Sequence, residues 1–189
     1  MTFLLNTQRL VLRPLYPTDA RSIFAYRSQP EVNRYQLWAI EYEDVRSLIA
    51  SQQGLDPDIP GTWFQAGITL HESGELIGDL GLHFLEGDNR QVEFGVTLSP
   101  AWQGQGIATE SISAVLEYLF SSLGKHRVYA SADPRNLRSV ALMERLGLRK
   151  EGCSLKSVWN RGEWTDDVTY AMLEDEWKTL SLKPDQTPS

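Results

Sequence analysis

Hydrophobic and polar positions alternate with a period of two through the middle of the chain, the pattern of half-buried strands. Phe64, Ala66, Ile68 and Leu70 alternate with Trp63, Gln65, Gly67 and Thr69. Leu76, Gly78, Leu80, Leu82 and Phe84 repeat the pattern after a Ser73–Gly74 turn, and Val92, Phe94, Val96 and Leu98 repeat it after Gly87–Asp88–Asn89. Strands joined by turns this short predict an antiparallel meander. Upstream, Arg9–Arg13 predicts a first strand. Residues 20–52 read as helical, opened by Thr18 or Asp19 as cap and broken near Pro30.

The period then changes. Ala108, Ile112, Val115, Leu116, Leu119 and Leu123 form one apolar stripe at helical spacing, closed by Gly124. Val128–Ala132 predicts a strand, and Asn136–Leu146 a second amphipathic helix between an Asn cap and Gly147. Strands over roughly 148–158 and 165–173 and a short helix from Leu173 complete the series. A strand–helix–strand step from 92 to 132 calls for a right-handed parallel crossover within an otherwise antiparallel sheet. The expectation is a mixed α/β sheet flanked by helices.

The 189 residues fit one domain, taken as 1–181, with the Pro-containing stretch 182–189 as a frayed tail. No apolar run is long enough to span a membrane, and the start lacks the features of a signal peptide, which points to the cytoplasm. The net charge of −7 argues against a nucleic-acid partner and suits a cationic substrate. Cys153, the single cysteine, is read as a buried structural thiol. His71, His83 and His126 lack metal-ligand spacing, so no metal is expected.

Candidate chemistry concentrates where the third meander strand meets the striped helix. In Ser99-Pro100-Ala101-Trp102-Gln103-Gly104-Gln105-Gly106-Ile107-Ala108-Thr109 a strand ends, a glycine-bearing turn follows, and a helix begins. The first amides of a helix have no internal partner and lie at its positive pole. Glycines let a ligand approach the backbone. Gln103 through Thr109 therefore form an anion cradle suited to a pyrophosphate. A P-loop is excluded because Ile107-Ala108 follows Gly106 in place of Lys-Ser/Thr. A Rossmann fingerprint is disfavoured by Thr109 and by the mid-chain position.

Gln103, Gly106 and Ala108 match the Gln/Arg-x-x-Gly-x-Gly/Ala turn of the GNAT acetyltransferase superfamily. Thr7–Pro14, Glu75–Leu82 and Asp133–Ser139 through Leu148 resemble further segments of its Rim-type branch, which includes ribosomal-protein N-terminal acetyltransferases. The resemblance spans roughly residues 7–178. It implies a mixed, mostly antiparallel seven-stranded sheet whose fourth and fifth strands splay apart, with a β-bulge near Glu93–Val96. It also implies acetyl-CoA as cosubstrate and direct transfer to a primary amine without an acyl-enzyme. The N–H of Val96 or Leu98 would polarise the thioester.

Glu93 matches a glutamate that serves as general base, directly or through water, in several members of the superfamily. Met143 stands where many members carry a proton-donating tyrosine, which leaves Ser139 as the general acid. Asn136 would cap its helix and bond the pantetheine, and Arg135 and Arg138 would reach the phosphates. Tyr35, Trp38, Trp159 and Trp164 would line the acceptor groove. The leading acceptor is a protein N-terminal amine, followed by a small amine such as a polyamine or aminoglycoside. A non-catalytic acyl-CoA-binding module and a nucleotide-binding domain are the rival classes. The branch also suggests a homodimer.

Overall fold

The computed structural model describes residues 3–36 and 41–182. Eight strands form one sheet: β1 (Leu5–Asn6), β2 (Leu10–Pro14), β3 (Thr62–Leu70), β4 (Leu76–Phe84), β5 (Gln91–Leu98), β6 (Arg127–Ala132), β7 (Arg149–Asn160) and β8 (Glu163–Leu173), in the order β1-β2-β3-β4-β5-β6-β8-β7. Every neighbouring pair is antiparallel except β5 with β6. The predicted meander is β3–β4–β5, and the predicted crossover runs through α4 (Ile107–Glu117). The eighth strand is the two-residue β1, folded back on β2.

The alternation seen in the sequence sorts side chains between the two faces. On one face Phe64, Ala66, Ile68, Leu80, Leu82, Phe84, Val92 and Phe94 pack with Ile112, Val115 and Leu116 of α4, with Leu119 and Phe120 of the π-helical turn that continues it (Tyr118–Ser122), and with Leu142 and Met143 of α5 (Leu137–Arg145). On the other face α1 (Ala20–Arg27) and α3 (Tyr42–Ser51) bury Ile23, Tyr26, Val45 and Ile49 around Leu15. Burying each such aliphatic side chain contributes roughly 1.5–3 kcal/mol. A short α2 (Pro30–Asn33) lies between α1 and α3, and α6 (Glu174–Ser181) follows β8. Gly147, at φ +82°, ends α5; a Cβ there would lie 2.8 Å from Leu180 of α6.

A buried polar knot fixes α1 to the sheet. Asp79 of β4 is 1 % exposed and accepts from Tyr26 Oη (2.6 Å) and Arg27 Nε (3.0 Å), with a second guanidinium contact from Arg27 Nη2. Burial opposes the charge on Arg27, but Asp79 more than restores it, so the group stays cationic. Burial, reinforced by Asp79, holds the Tyr26 hydroxyl well above the usual phenol range, so it remains a donor.

A second tether joins the loop before β3 to the start of β6. Lys125 is buried with its ammonium on Asp58, which also accepts from Asn89 Nδ2 at 3.1 Å and is partly open to water. Removing one member of this pair is therefore unequal. Asp58→Ala strands a buried ammonium and is expected to cost about 2–4 kcal/mol, whereas Lys125→Met leaves a carboxylate that water can solvate and should cost less than about 1.5 kcal/mol. Urea unfolding of the two variants checks the asymmetry.

Three sequence expectations need correction. The β4–β5 pairs run in one register from Gly78↔Leu98 to Phe84↔Val92, so β5 carries no bulge near Glu93–Val96. Cys153 lies exposed on β7, the outer strand of the sheet, rather than in the core. β7 and β8 also run closer to their shared turn than predicted, with Asn160 paired to Glu163.

Candidate active site

β5 and β6 pair only through Gln91↔Arg127, Val92↔Val128 and Glu93↔Tyr129. Beyond Glu93, β5 continues along β4 to Leu98, while β6 follows β8 to Ala132. The two strands part because each keeps its other neighbour, and the sheet opens between them without an inserted residue.

The register also orients the backbone on the rim. Ser99 N–H donates to the Ile77 carbonyl and Leu85 N–H to the Gln91 carbonyl, which marks the odd positions of β5 as those bonded to β4. In an antiparallel ladder the intervening residues turn their amides the other way. The N–H groups of Val96 and Leu98 therefore face the opening, as candidate oxyanion donors must.

At the head of the opening lies the glycine turn. Gly104 and Gly106 have φ of +75° and +78°, on either side of Gln105, and Gly106 is the N-cap of α4. Its first backbone bond is Glu110 N–H to the Gly106 carbonyl, 3.0 Å. The N–H groups of Gly104, Gln105, Gly106, Ile107, Ala108 and Thr109 have no partner among the described residues. Such a run, at the positive end of a helix, is an anion nest.

The rest of the turn is tied down. Gln103 Nε2 donates to the Leu98 carbonyl (2.9 Å), Gln105 Nε2 to the Ala101 carbonyl (2.7 Å) and Arg9 Nη1 to the Gln105 carbonyl (3.1 Å). Glu110 accepts from Thr7 Oγ1 (2.6 Å) and from Arg9 N and Nε (2.9 and 2.7 Å). Burial opposes the charge on Glu110, but these bonds outweigh it and hold its carboxyl below the ordinary glutamate range. Arg138 reaches Gln103 Oε1, and Arg145 Nη1 lies 3.4 Å from Thr109 Oγ1. The Gln105 carbonyl and the Gln103, Gln105 and Thr109 side chains are thus occupied while the amides are left open, and the cradle fits a diphosphate. Gly106→Ala forces a Cβ into a left-handed backbone at a strain of about 1–3 kcal/mol. We expect the KM for acetyl-CoA to rise about tenfold with little change in kcat, measurable by steady-state kinetics.

Asn136 and Ser139 meet the same region from α5. Asn136 Oδ1 accepts from the Ser139 N–H at 3.3 Å, as a cap should, and the half-buried Ser139 hydroxyl has no partner among the described residues. Met143 is buried in the core. The Arg135 guanidinium is held by Asp133 (2.6 Å) and Glu163 (2.9 Å), so the group expected to reach the phosphates is already paired with carboxylates.

Residues after α2 bridge the opening. Gln36 Nε2 approaches Thr97 Oγ1 of β5 at 3.3 Å, and Tyr35 Oη donates to the Arg135 carbonyl beyond β6 at 3.2 Å. Trp38 lies outside the described residues. Trp159 and Trp164 pack edge to face on each other, 5.4 Å apart. Strand alternation puts Trp164 on the face of Val168 and Tyr170, opposite Asp167, so this pair does not flank Glu93.

Glu93 stands where the strands part. Its side chain is 27 % exposed and its Oε2 lies 3.4 Å from Tyr129 Oη and 3.8 Å from His83 Nδ1. Burial raises its carboxyl above the ordinary glutamate range, Asp167 adds to this, and His83 and Tyr129 oppose it. The Tyr129 hydroxyl is itself raised, by burial and then by Glu93, and stays protonated as a donor. His83, Tyr129 and Trp63 were not singled out as site residues in the sequence. The signal was present: a hairpin centred on Asp88 pairs position 83 with position 93.

Residues 9–149 match the family described as the acetyltransferase (GNAT) domain. The chain belongs to the GNAT acetyltransferase family. This GNAT chain is 33 % identical over 175 residues to the uncharacterized N-acetyltransferase YoaA of Bacillus subtilis (strain 168), covering 90 % of the chain and 97 % of that protein. It is 28 % identical over 181 residues to the [ribosomal protein uS5]-alanine N-acetyltransferase of Escherichia coli (strain K12), covering 92 % of each. The crystal structure of a GNAT-family acetyltransferase from Bacillus anthracis superposes with a TM-score of 0.83 at 27 % identity, over 92 % of this chain and 100 % of that one. The protein is an acetyl-CoA-dependent N-acetyltransferase of the GNAT type. No helix among the described residues is long and apolar enough to cross a membrane.

Proposed function

We propose that the acceptor is a protein N-terminal α-amine and that Glu93 takes its proton. The observation that carries this reading is the position of the Glu93 carboxylate, half-buried at the point where β5 leaves β6, on the same strand whose later N–H groups, at Val96 and Leu98, face the opening. Acetyl-CoA supplies the thioester carbonyl for direct transfer. The rim amides donate hydrogen bonds to the carbonyl oxygen as negative charge develops there. Gly104–Thr109, with Gln103, hold the diphosphate, and Asn136 fixes the α5 terminus beside the pantetheine path. Ser139 donates the proton that the departing thiolate needs and regains one from the acylated nitrogen, which sheds its second proton as the amide forms.

Charge matching favours an α-amine. Its pKa of about 7.7–8.0 leaves a fair fraction neutral near pH 7, so a carboxylate base suffices. A lysine or polyamine ammonium, near 10.4, demands far more of the same group. The similarity to an enzyme named for the alanine terminus of a ribosomal protein supports the same class.

The test offers three acceptors with acetyl-CoA: a lysine-free peptide with a free terminus, an α-blocked lysine peptide, and a polyamine. We expect thiol release and a modified terminus with the first. A higher kcat/KM on either of the others overturns the acceptor assignment.

A further inference from the structure

We propose that His83, stacked on Trp63, is the proton outlet of Glu93: a positioning residue that empties the base between turnovers. The proposal rests on the reading of Glu93 as base and assigns a role to side chains that reading leaves idle. Position 83 of β4 lies directly across from Glu93 of β5, and position 63 of β3 directly across from His83, so one row of three strands carries all three side chains on one face. The Trp63 indole and the His83 imidazole are parallel, with centroids 4.8 Å apart and planes 7° apart. Such a stack fixes the ring and stabilises it when cationic. His83 Nδ1 lies 3.8 Å from Glu93 Oε2, a gap that rotation about the glutamate side chain closes.

The row also runs outward. Trp63 is 42 % exposed at one end, and Glu93, beneath the partly buried Tyr129, lies at the other. A proton taken by a half-buried carboxylate must leave before the next cycle. Tyr129 cannot accept it, because its oxygen is already protonated and donates toward Glu93. Asp167 of β8 faces Glu93 as a like charge, and Arg127 of β6 covers the Tyr129 ring at 4.6 Å. His83 Nδ1, 3.8 Å from the carboxylate, is the nitrogen base that faces Glu93 among the described residues, and the transfer uses the tautomer whose proton sits on Nε2.

The transfer balances. The ammonium N–H bond breaks as the proton moves to a Glu93 oxygen. That O–H bond breaks as the proton passes to His83 Nδ1, and the imidazolium then loses its Nε2 proton to water. No electrons change hands, and the carboxylate and neutral imidazole are regenerated.

The measurement is the pH profile of kcat for His83→Gln, with and without added imidazole, alongside Trp63→Phe. We expect kcat to fall about tenfold or more with the KM for acetyl-CoA unchanged. We also expect imidazole to restore the rate in proportion to its free-base concentration, and Trp63→Phe to stay within about threefold of the parent. A His83→Gln kcat within twofold of the parent overturns the proposal, as does a loss that imidazole leaves unrepaired. Glu93→Gln separates the two layers: if it is inactive while His83→Gln is fully active, only the outlet fails, and if it is fully active the base assignment fails with it.

Discussion

Glu93→Gln is expected to lower kcat about a hundredfold near pH 7 while leaving the melting temperature equal to or above that of the parent. The loss follows from removing the proton acceptor, since a positioned base contributes roughly 10²–10⁴-fold. It should shrink as the pH rises through about 8, where an α-amine becomes neutral without help. The stability gain follows from the raised pKa. Burial disfavours the Glu93 carboxylate in the folded state, so between the ordinary glutamate value and its raised value the folded protein holds the proton more tightly than the unfolded chain. Parent stability therefore falls as pH rises through that window, and a neutral amide escapes the loss. The same shift places the acid limb of parental kcat/KM above the ordinary glutamate range. Full activity of Glu93→Gln across the pH range would remove this residue from the chemistry.

The largest stability effect belongs to Asp79→Ala. Asp79 is the shared acceptor for Tyr26 and Arg27, and deleting it leaves a buried guanidinium without its carboxylate and a buried phenol without its acceptor. Breaking such a pair from one side costs about 3–5 kcal/mol, which for a chain of this size corresponds to a melting-point drop of roughly 10 °C. Replacing both partners, as Arg27→Met with Asp79→Leu, should recover most of that loss, because two apolar side chains avoid desolvating two charges. Calorimetry of the single and double variants measures the difference. A single variant within about 1 kcal/mol of the parent would mean that the knot contributes little to holding α1 on the sheet.

Much of this molecule was readable from residue order alone. Period-two alternation located β3, β4 and β5, and the stripe from Ala108 to Leu123 located α4, because in each case one face is buried and the other is not. β1 was invisible: two residues, Leu5 and Asn6, are too few to show a period. The expected bulge was wrong for an instructive reason. The unbroken alternation of Val92, Phe94, Val96 and Leu98 already implied a regular β5, and the opening arises from the partners its neighbours choose, a long-range fact with no local signature. The glycine turn with its open amides was legible because its requirement is local, glycines at a helix start. The surroundings of Glu93 were not, since Trp63, His83 and Tyr129 are far apart in the chain and are assembled only by register. For Arg135 the sequence shows a charge but not that Asp133 and Glu163 hold it.

The parting of β5 from β6 carries a liability. Past Glu93, the facing edges of β5 and β6 have no strand partner among the described residues, a border on which stray extended chains can add. Tyr35 and Gln36, latched to either bank, stand guard over it. Self-association on heating should accordingly be a property of the empty enzyme, suppressed once cosubstrate occupies the cleft.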